Sequence, residues 1–265
     1  MLSRWVFVCF ALAVAMLPAL SGGEASGQGG AGSGRSPAGG PGPEEKSQDL
    51  AQVARRVINL TNGFRQEQGR GAVEPQAQLG SAARAFADFM ARTDRYGHTA
   101  DGSTPAERAL RHGYEYCLVA ENIAYQSSTG GFTDEELARG YVEGWKQSSE
   151  HRENMLNPAV TDTGVAAARS ERTGTYYAVQ MFGLPRSRML EFRISNRSDV
   201  AVRYETGGQT LSLPPQSTRT HRSCQAAEVT FHWPNAQGGE TVRARHGDHY
   251  AVGRGEAGTF RLEKL

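Results

Sequence analysis

The chain is poor in lysine, in cysteine and in long apolar runs. Lys46, Lys146 and Lys264 are the only lysines among 29 basic residues, and 28 acidic residues balance them. The resulting net charge of +1 leaves no overall basic field for nucleic acid and no acidic tail. A mean hydropathy of −0.53 excludes a polytopic membrane protein. The longest apolar run, Trp5 to Leu17, falls short of the roughly 20 residues a membrane span needs. No internal repeat and no phosphate-cradling glycine loop is present. With 265 residues there is room for one or two domains, and 32 glycines mark part of the chain as linker.

That apolar run follows a single charge at Arg4 and leads into Pro18, Ala19, Ser21 and Gly22, the three-part pattern of a secretory signal peptide over residues 1–21. Cleavage after Ser21 and after Ala25 are both compatible with it. Cys9 lies inside the run and does not follow a small-residue box, which argues against a lipoprotein. Residues 22–48 are Gly, Ser, Pro and Ala with a few charges, a flexible tether with no apolar face to offset its ordering entropy. Export leaves Cys117 and Cys224, which an oxidising compartment is expected to pair; two separate buried thiols are the alternative.

Leu50, Val53, Val57, Leu60 and Phe64 fall on one helical face, stopped at Gly69, and Leu79, Ala83, Phe86 and Met90 mark a second helix. Thr104-Pro105 with Glu107, and Thr133 with Glu136, are capping boxes opening two more; the latter helix carries Leu137, Tyr141 and Trp145 as core. Strand-like pieces are Tyr114–Val119, Thr163–Arg169 and Thr175–Phe182, the last two joined by a polar turn. This mixture predicts an α+β layered domain over 49–185. From 186 to 265 the pattern becomes short alternating segments, a small all-β sandwich or barrel. Its expected strands start near Leu190, Val200, Thr210, Glu228, Thr241, His249 and Thr259. Arg245 to Tyr250 reads as a hairpin that sets His246 and His249 side by side, a weak candidate metal pair. An excess of arginine suits this tail to an anionic surface or to the preceding domain.

Five segments in order carry more information than any one alone. They are Asn62-Gly63-Phe64-Arg65; Tyr96-Gly97-His98-Thr99; Ala120-Glu121-Asn122-Ile123-Ala124; His151-Arg152-Glu153-Asn154-Met155-Leu156 with Asp162-Thr163-Gly164-Val165; and Tyr177 to Gly183. Together they resemble the CAP superfamily of cysteine-rich secretory, antigen-five and pathogenesis-related proteins, in particular its compact bacterial SCP-like branch. The resemblance covers about half the chain and excludes the tail. It implies a three-layer α–β–α sandwich with a cleft that receives His98, Glu121 and His151. It also implies a second acid five residues after the first histidine, where this chain has Ser103; Asp101 and Glu107 are the nearby substitutes, Glu107 being better explained as a capping residue.

Two neutral imidazoles can ligate zinc or another divalent metal, with Glu121 fixing a tautomer or taking a proton from bound water. Three readings stay open. The cleft binds a metal or a small ligand such as a lipid; it is a metal-assisted hydrolase or protease; or it is a polar core of a structural envelope protein. An exported, non-enzymatic binding module is the favoured one, secreted to the periplasm, cell surface or medium, with a small molecule, lipid or envelope component as partner. Ser149 is too close to His151 in sequence to serve as its nucleophile. Arg65 is expected on an acid or a carbonyl, Asn122 as an anchor, and Tyr177 and Gln180 on the closing strand.

Overall fold

The computed structural model describes residues 48–234 and 238–265. The signal peptide expected at 1–21 and the tether expected at 22–48, except for Gln48, lie outside the described residues; Gln48 donates to the Phe132 carbonyl at 2.8 Å and so belongs to the folded part. Five helices come first: α1 (Leu50–Glu67), α2 (Ala77–Thr93), α3 (Pro105–Arg111), α4 (Asp134–Gln147) and α5 (Ser149–Leu156). Four strands accompany them, β1 (Glu74–Pro75), β2 (Tyr116–Gln126), β3 (Asp162–Arg169) and β4 (Tyr176–Pro185). They form one sheet in the order β1-β3-β4-β2, antiparallel except for the short β1–β3 pair.

Alternation along the strands sorts the side chains onto two faces. Ala166, Ala168, Tyr177, Val179, Met181 and Ile123 pack under α2 and α3, against Leu79, Phe86, Met90 and Ala109. Ala167, Tyr176, Ala178 and Phe182 face the other way, against Val53 and Val57 of α1 and Leu137, Tyr141 and Trp145 of α4. The expected α–β–α sandwich is therefore present. Gly164 shows how tightly the layers meet: a Cβ there would fall onto the backbone of Leu79 and Gly80 in α2. Both capping boxes form, with Thr104 and Thr133 accepting from the N–H of Glu107 and Glu136 and receiving those carboxylates in return.

Eight strands follow: β5 (Leu190–Asn196), β6 (Val202–Thr206), β7 (Gln209–Leu213), β8 (Ser217–Ser223), β9 (Ala227–His232), β10 (Gly239–Ala244), β11 (His249–Arg254) and β12 (Phe260–Lys264). They make two four-stranded sheets, β10-β9-β6-β7 and β12-β11-β5-β8. Phe192, Ile194, Val202, Tyr204, Val229, Phe231, Tyr250 and Val252 share one core between them, so this part is a sandwich. A disulfide between Cys117 on β2 and Cys224 after β8 ties the two parts, with Cα atoms 5.5 Å apart.

The expected hairpin at Arg245–Tyr250 is corrected. β10 pairs with β9, whereas β11 pairs with β5 and β12 in the other sheet, so this turn crosses between sheets. The two histidines go to separate partners: Nδ1 of His246 accepts from the Glu191 N–H at 3.2 Å, and Nε2 of His249 lies 2.7 Å from Ser195 Oγ. Strand β8 was absent from the sequence reading because Ser-Thr-Arg-Thr-His-Arg-Ser has no apolar residue to reveal its alternation.

Candidate functional site

Three segments meet at β2, an outer strand of the first sheet. The turn between α2 and α3 brings His98; its entry is Gly97, whose φ of +137° suits glycine far better than any residue with a Cβ. β2 itself brings Glu121. This strand runs on past Val119, where the sequence reading ended it, so Glu121 sits within the strand and points to the face covered by α2 and α3. The first turn of α5, the short helix that follows α4, brings His151. Asn122, fully buried, anchors that helix: its Nδ2 donates to the His151 carbonyl at 3.1 Å, and its Oδ1 accepts from Asn154 at 2.9 Å.

The three residues named from the sequence are thus together. Nδ1 of His98 donates to Glu121 Oε1 at 2.8 Å, which fixes the tautomer of the ring. The His98 and His151 ring centroids are 6.4 Å apart. Burial, followed by the neighbouring His98, lowers the His151 pKa, so its imidazole is neutral at pH 7. Among the described residues no hydrogen bond is made by its ring nitrogens. Ser149 is exposed and makes no hydrogen bond to His151.

The centre of the cluster is a residue that sequence reasoning passed over. Arg108, on the inner face of α3 beside buried Ala109, is 2% exposed. Its Nη2 donates to both Glu121 oxygens, at 2.9 and 2.7 Å, and to the His98 carbonyl at 2.9 Å. Its Nη1 donates to Asp101 at 3.1 Å and to the Ser103 carbonyl at 2.8 Å. The guanidinium stacks on Phe86, Cζ lying 3.6 Å from the ring centroid, while its Nε has no hydrogen-bond partner. Ser103, standing where the resemblance placed an acid, donates its hydroxyl to Asp101 and receives Arg111. Burial raises the Asp101 pKa, but Ser103, Arg108 and Arg111 outweigh it and hold the carboxyl below its ordinary value. Glu107 stays in its capping box, so Asp101 is the acid of this network and it faces an arginine.

A closed metal centre with Glu121 as third ligand does not fit these residues as they are arranged. Rings sharing a tetrahedral zinc have centroids about 5 Å apart, given Zn–N near 2 Å, whereas these stand more than an ångström further off. The carboxylate that would be the third ligand is 1% exposed and bonded to Arg108. Among the described residues no group of three or more His, Cys, Asp or Glu is arranged to hold an ion.

The remaining sequence candidates hold layers in place. Arg65 bonds the carbonyls of Gly71, Met155, Asn157 and Val160, with no acid. Gln180 accepts from Thr61 of α1 at 3.1 Å and donates to Thr163 at 3.3 Å, linking helix and sheet. The Tyr177 hydroxyl donates to Asp94, and its pKa is pushed up to about 12, by burial first and then by that carboxylate.

Residues 58–182 match the model of the CAP family, described as the cysteine-rich secretory protein family. The uncharacterized protein YkwD of Bacillus subtilis is 32% identical over 135 residues, covering 51% of this chain and 48% of its own length. The uncharacterized membrane protein YlbC of the same organism is 26% identical, over 46% of this chain and 33% of its own. The chain thus spans half or less of the length of these relatives. Among solved structures, an outer surface protein of Borrelia burgdorferi covers 52% of this chain and 96% of itself, at 20% identity and a TM-score of 0.46. An extracellular protein of Bacillus anthracis containing an SCP domain covers 55% of this chain and 45% of itself, at 22% and 0.45. Residues 58–182, a little under half of the chain, thus match the CAP domain of the cysteine-rich secretory protein family.

Proposed function

We propose that this is an exported, non-enzymatic binding protein whose CAP domain receives a small ligand beside His98 and His151. The observation that supports this reading is the engagement of Glu121. A general base must present a lone pair to water within hydrogen-bond reach. The Glu121 carboxylate is buried, with Arg108 on both oxygens and His98 on one, and so has a structural part to play. His151 offers the ligand a neutral imidazole able to donate and to accept. Two exposed tyrosines, Tyr96 and Tyr125, meet edge to face at 5.0 Å on the same side of β2 and offer apolar contact to an amphiphilic molecule such as a lipid. Export is supported by the N-terminal apolar run and by the disulfide. No helix among the described residues is long and apolar enough to cross a membrane.

A weak two-imidazole zinc site is the second reading; it rests on the two rings bordering one space, and it requires them to close by about an ångström from their 6.4 Å separation. Titration calorimetry with Zn²⁺ on wild type, His98→Ala and His151→Ala separates the two. Weak binding lost in both variants supports the metal; equal binding in all three removes it. Chelator-sensitive hydrolysis of a peptide or ester, abolished by Glu121→Gln, would overturn the non-enzymatic reading altogether.

A further inference from the structure

A cavity of about 640 Å³ opens where the segment after α5 meets the β-sandwich, and it does not border His98, Glu121 or His151. Arg70, just beyond α1, Arg152 on α5 and Arg243 on β10 line it, with Glu153 as the one acid. Leu156 and Ala226 are among its apolar walls. Three positive charges against one negative leave a net charge of +2. A sphere of that volume is about 11 Å across, close to the Debye length of about 8–10 Å, so the guanidinium groups act on its contents as one field.

None of these three arginines takes part in an ion pair among the described residues. A fourth positive charge stands behind the wall: buried Arg65 bonds the carbonyls of Met155 and Asn157. Its pKa is lowered by burial and then by Arg70. Arg70, Arg152 and Arg243 are all exposed; Arg152 is oriented by its Nε, which donates to the Lys146 carbonyl at 3.0 Å, and no hydrogen bond of its two terminal nitrogens is made among the described residues. The walls are also fixed in advance. Gln225 and Ala226 directly follow Cys224, which the disulfide holds against β2. A second recess of about 220 Å³ shares Ala159, Gln225 and Ala226 and adds Arg188.

We propose that this junction is a binding site for a small multiply charged anion, whose phosphate or carboxylate groups are received by Arg70, Arg152 and Arg243. Guanidinium forks match both groups bidentately, and the volume is that of an ordinary small-molecule site. On α5 the site uses Arg152, Glu153 and Leu156, while His151 and Asn154 lie on the opposite helical face, so it is independent of the imidazole cluster.

The test is titration calorimetry at low ionic strength with pyrophosphate and with citrate, the two arms separating phosphate from carboxylate recognition. Wild type is expected to bind one or both saturably at one site. Arg70→Gln and Arg243→Gln should each weaken binding about tenfold or more, the loss of one charge-assisted contact. His151→Ala and Arg139→Gln, the latter an exposed α4 residue paired with Glu135, should bind as wild type does. All four variants are to be checked for a wild-type unfolding midpoint. Absence of saturable binding for both anions overturns the proposal, and so does equal binding by Arg243→Gln and Arg139→Gln.

Discussion

Replacing Glu121 by Gln keeps the shape of the side chain and removes its charge. In the native network both carboxylate oxygens face donors, two bonds coming from Arg108 and one from His98. A glutamine amide can accept at one oxygen only, and its NH2 group points donors at donors. Arg108 keeps Asp101 at 3.1 Å and two carbonyls, so it is not stranded completely. Breaking a buried ion pair from one side costs about 3–5 kcal/mol, and the contacts that remain reduce this to about 2–4 kcal/mol. For a unit of this size each kcal/mol moves Tm by about 2–4 °C, which gives a drop of roughly 5–15 °C. Urea unfolding followed by circular dichroism measures the cost directly. The double variant Arg108→Met/Glu121→Leu should lose less than the sum of its single changes, because it strands no charge. If Glu121→Gln unfolds within about 0.5 kcal/mol of wild type, the network is not what holds this corner together, and the carboxylate regains its candidacy as a reacting group.

The other expectations concern the joint, the layers and the sandwich. Reducing Cys117–Cys224 opens a crosslink spanning 107 residues, which the chain-entropy model values at about 4–5 kcal/mol; an unchanged urea midpoint under reductant would contradict it. Gly164→Ala drives a methyl group into the α2 backbone, where no side chain can yield, and should cost about 3 kcal/mol, whereas wild-type stability would show that the helix can retreat. The pKa of His221 is lowered by burial and then by Arg219, and that of His249 by burial and then by Arg193 and Arg197. Between the lowered folded value and the ordinary 6.5 the folded rings stay neutral while the unfolded ones take up protons. The stability they confer is full above that pH and is lost as pH falls toward the lowered folded values. Thermal unfolding between pH 7.5 and 5.5 should show the decline, and His221→Phe should flatten it.

What could be read from the chain was whatever had a local physical signature. The capping boxes at Thr104 and Thr133 each tie a side chain to a backbone three residues on, so spacing alone discloses them, and both form. The faces of α1 and α2 appear as apolar repeats, and Val53, Val57, Leu79 and Met90 are buried without remainder. The reach of β2 was not legible, because Glu121 and Asn122 are polar residues on an outer strand and imitate the end of one. The turn at Arg245–Tyr250 misled for a related reason: Gly-Asp between alternating segments marks a reversal but does not say whether the next strand joins the same sheet. Arg108 was hidden most fully. An arginine on a short helix usually belongs to the solvated face, and only the tertiary arrangement reveals that Asp101 and Glu121 flank it. The clue available was its neighbour Ala109, one position on along α3 and also buried.

The absence of an acid at position 103 therefore has a structural meaning. Arg108 and Arg111 carry two positive charges; Asp101 and Glu121 carry two negative ones, and Ser103 links them by hydrogen bonds. The cluster is neutral as it stands. A divalent ion at the imidazoles would add two positive charges beside a guanidinium that is 2% exposed, and within this network no carboxylate is left over to offset them; Glu150, next to His151 in the chain, is exposed and offsets little. With Glu121 already neutralised by Arg108, His98 is oriented by a carboxylate that cannot also serve as a ligand without breaking the pair that buries it. The electrostatics that hold the turn, α3 and β2 in register thus work against a tight metal centre. They leave His151, anchored through Asn122 and kept neutral by burial, as the group best placed to meet a ligand from solvent.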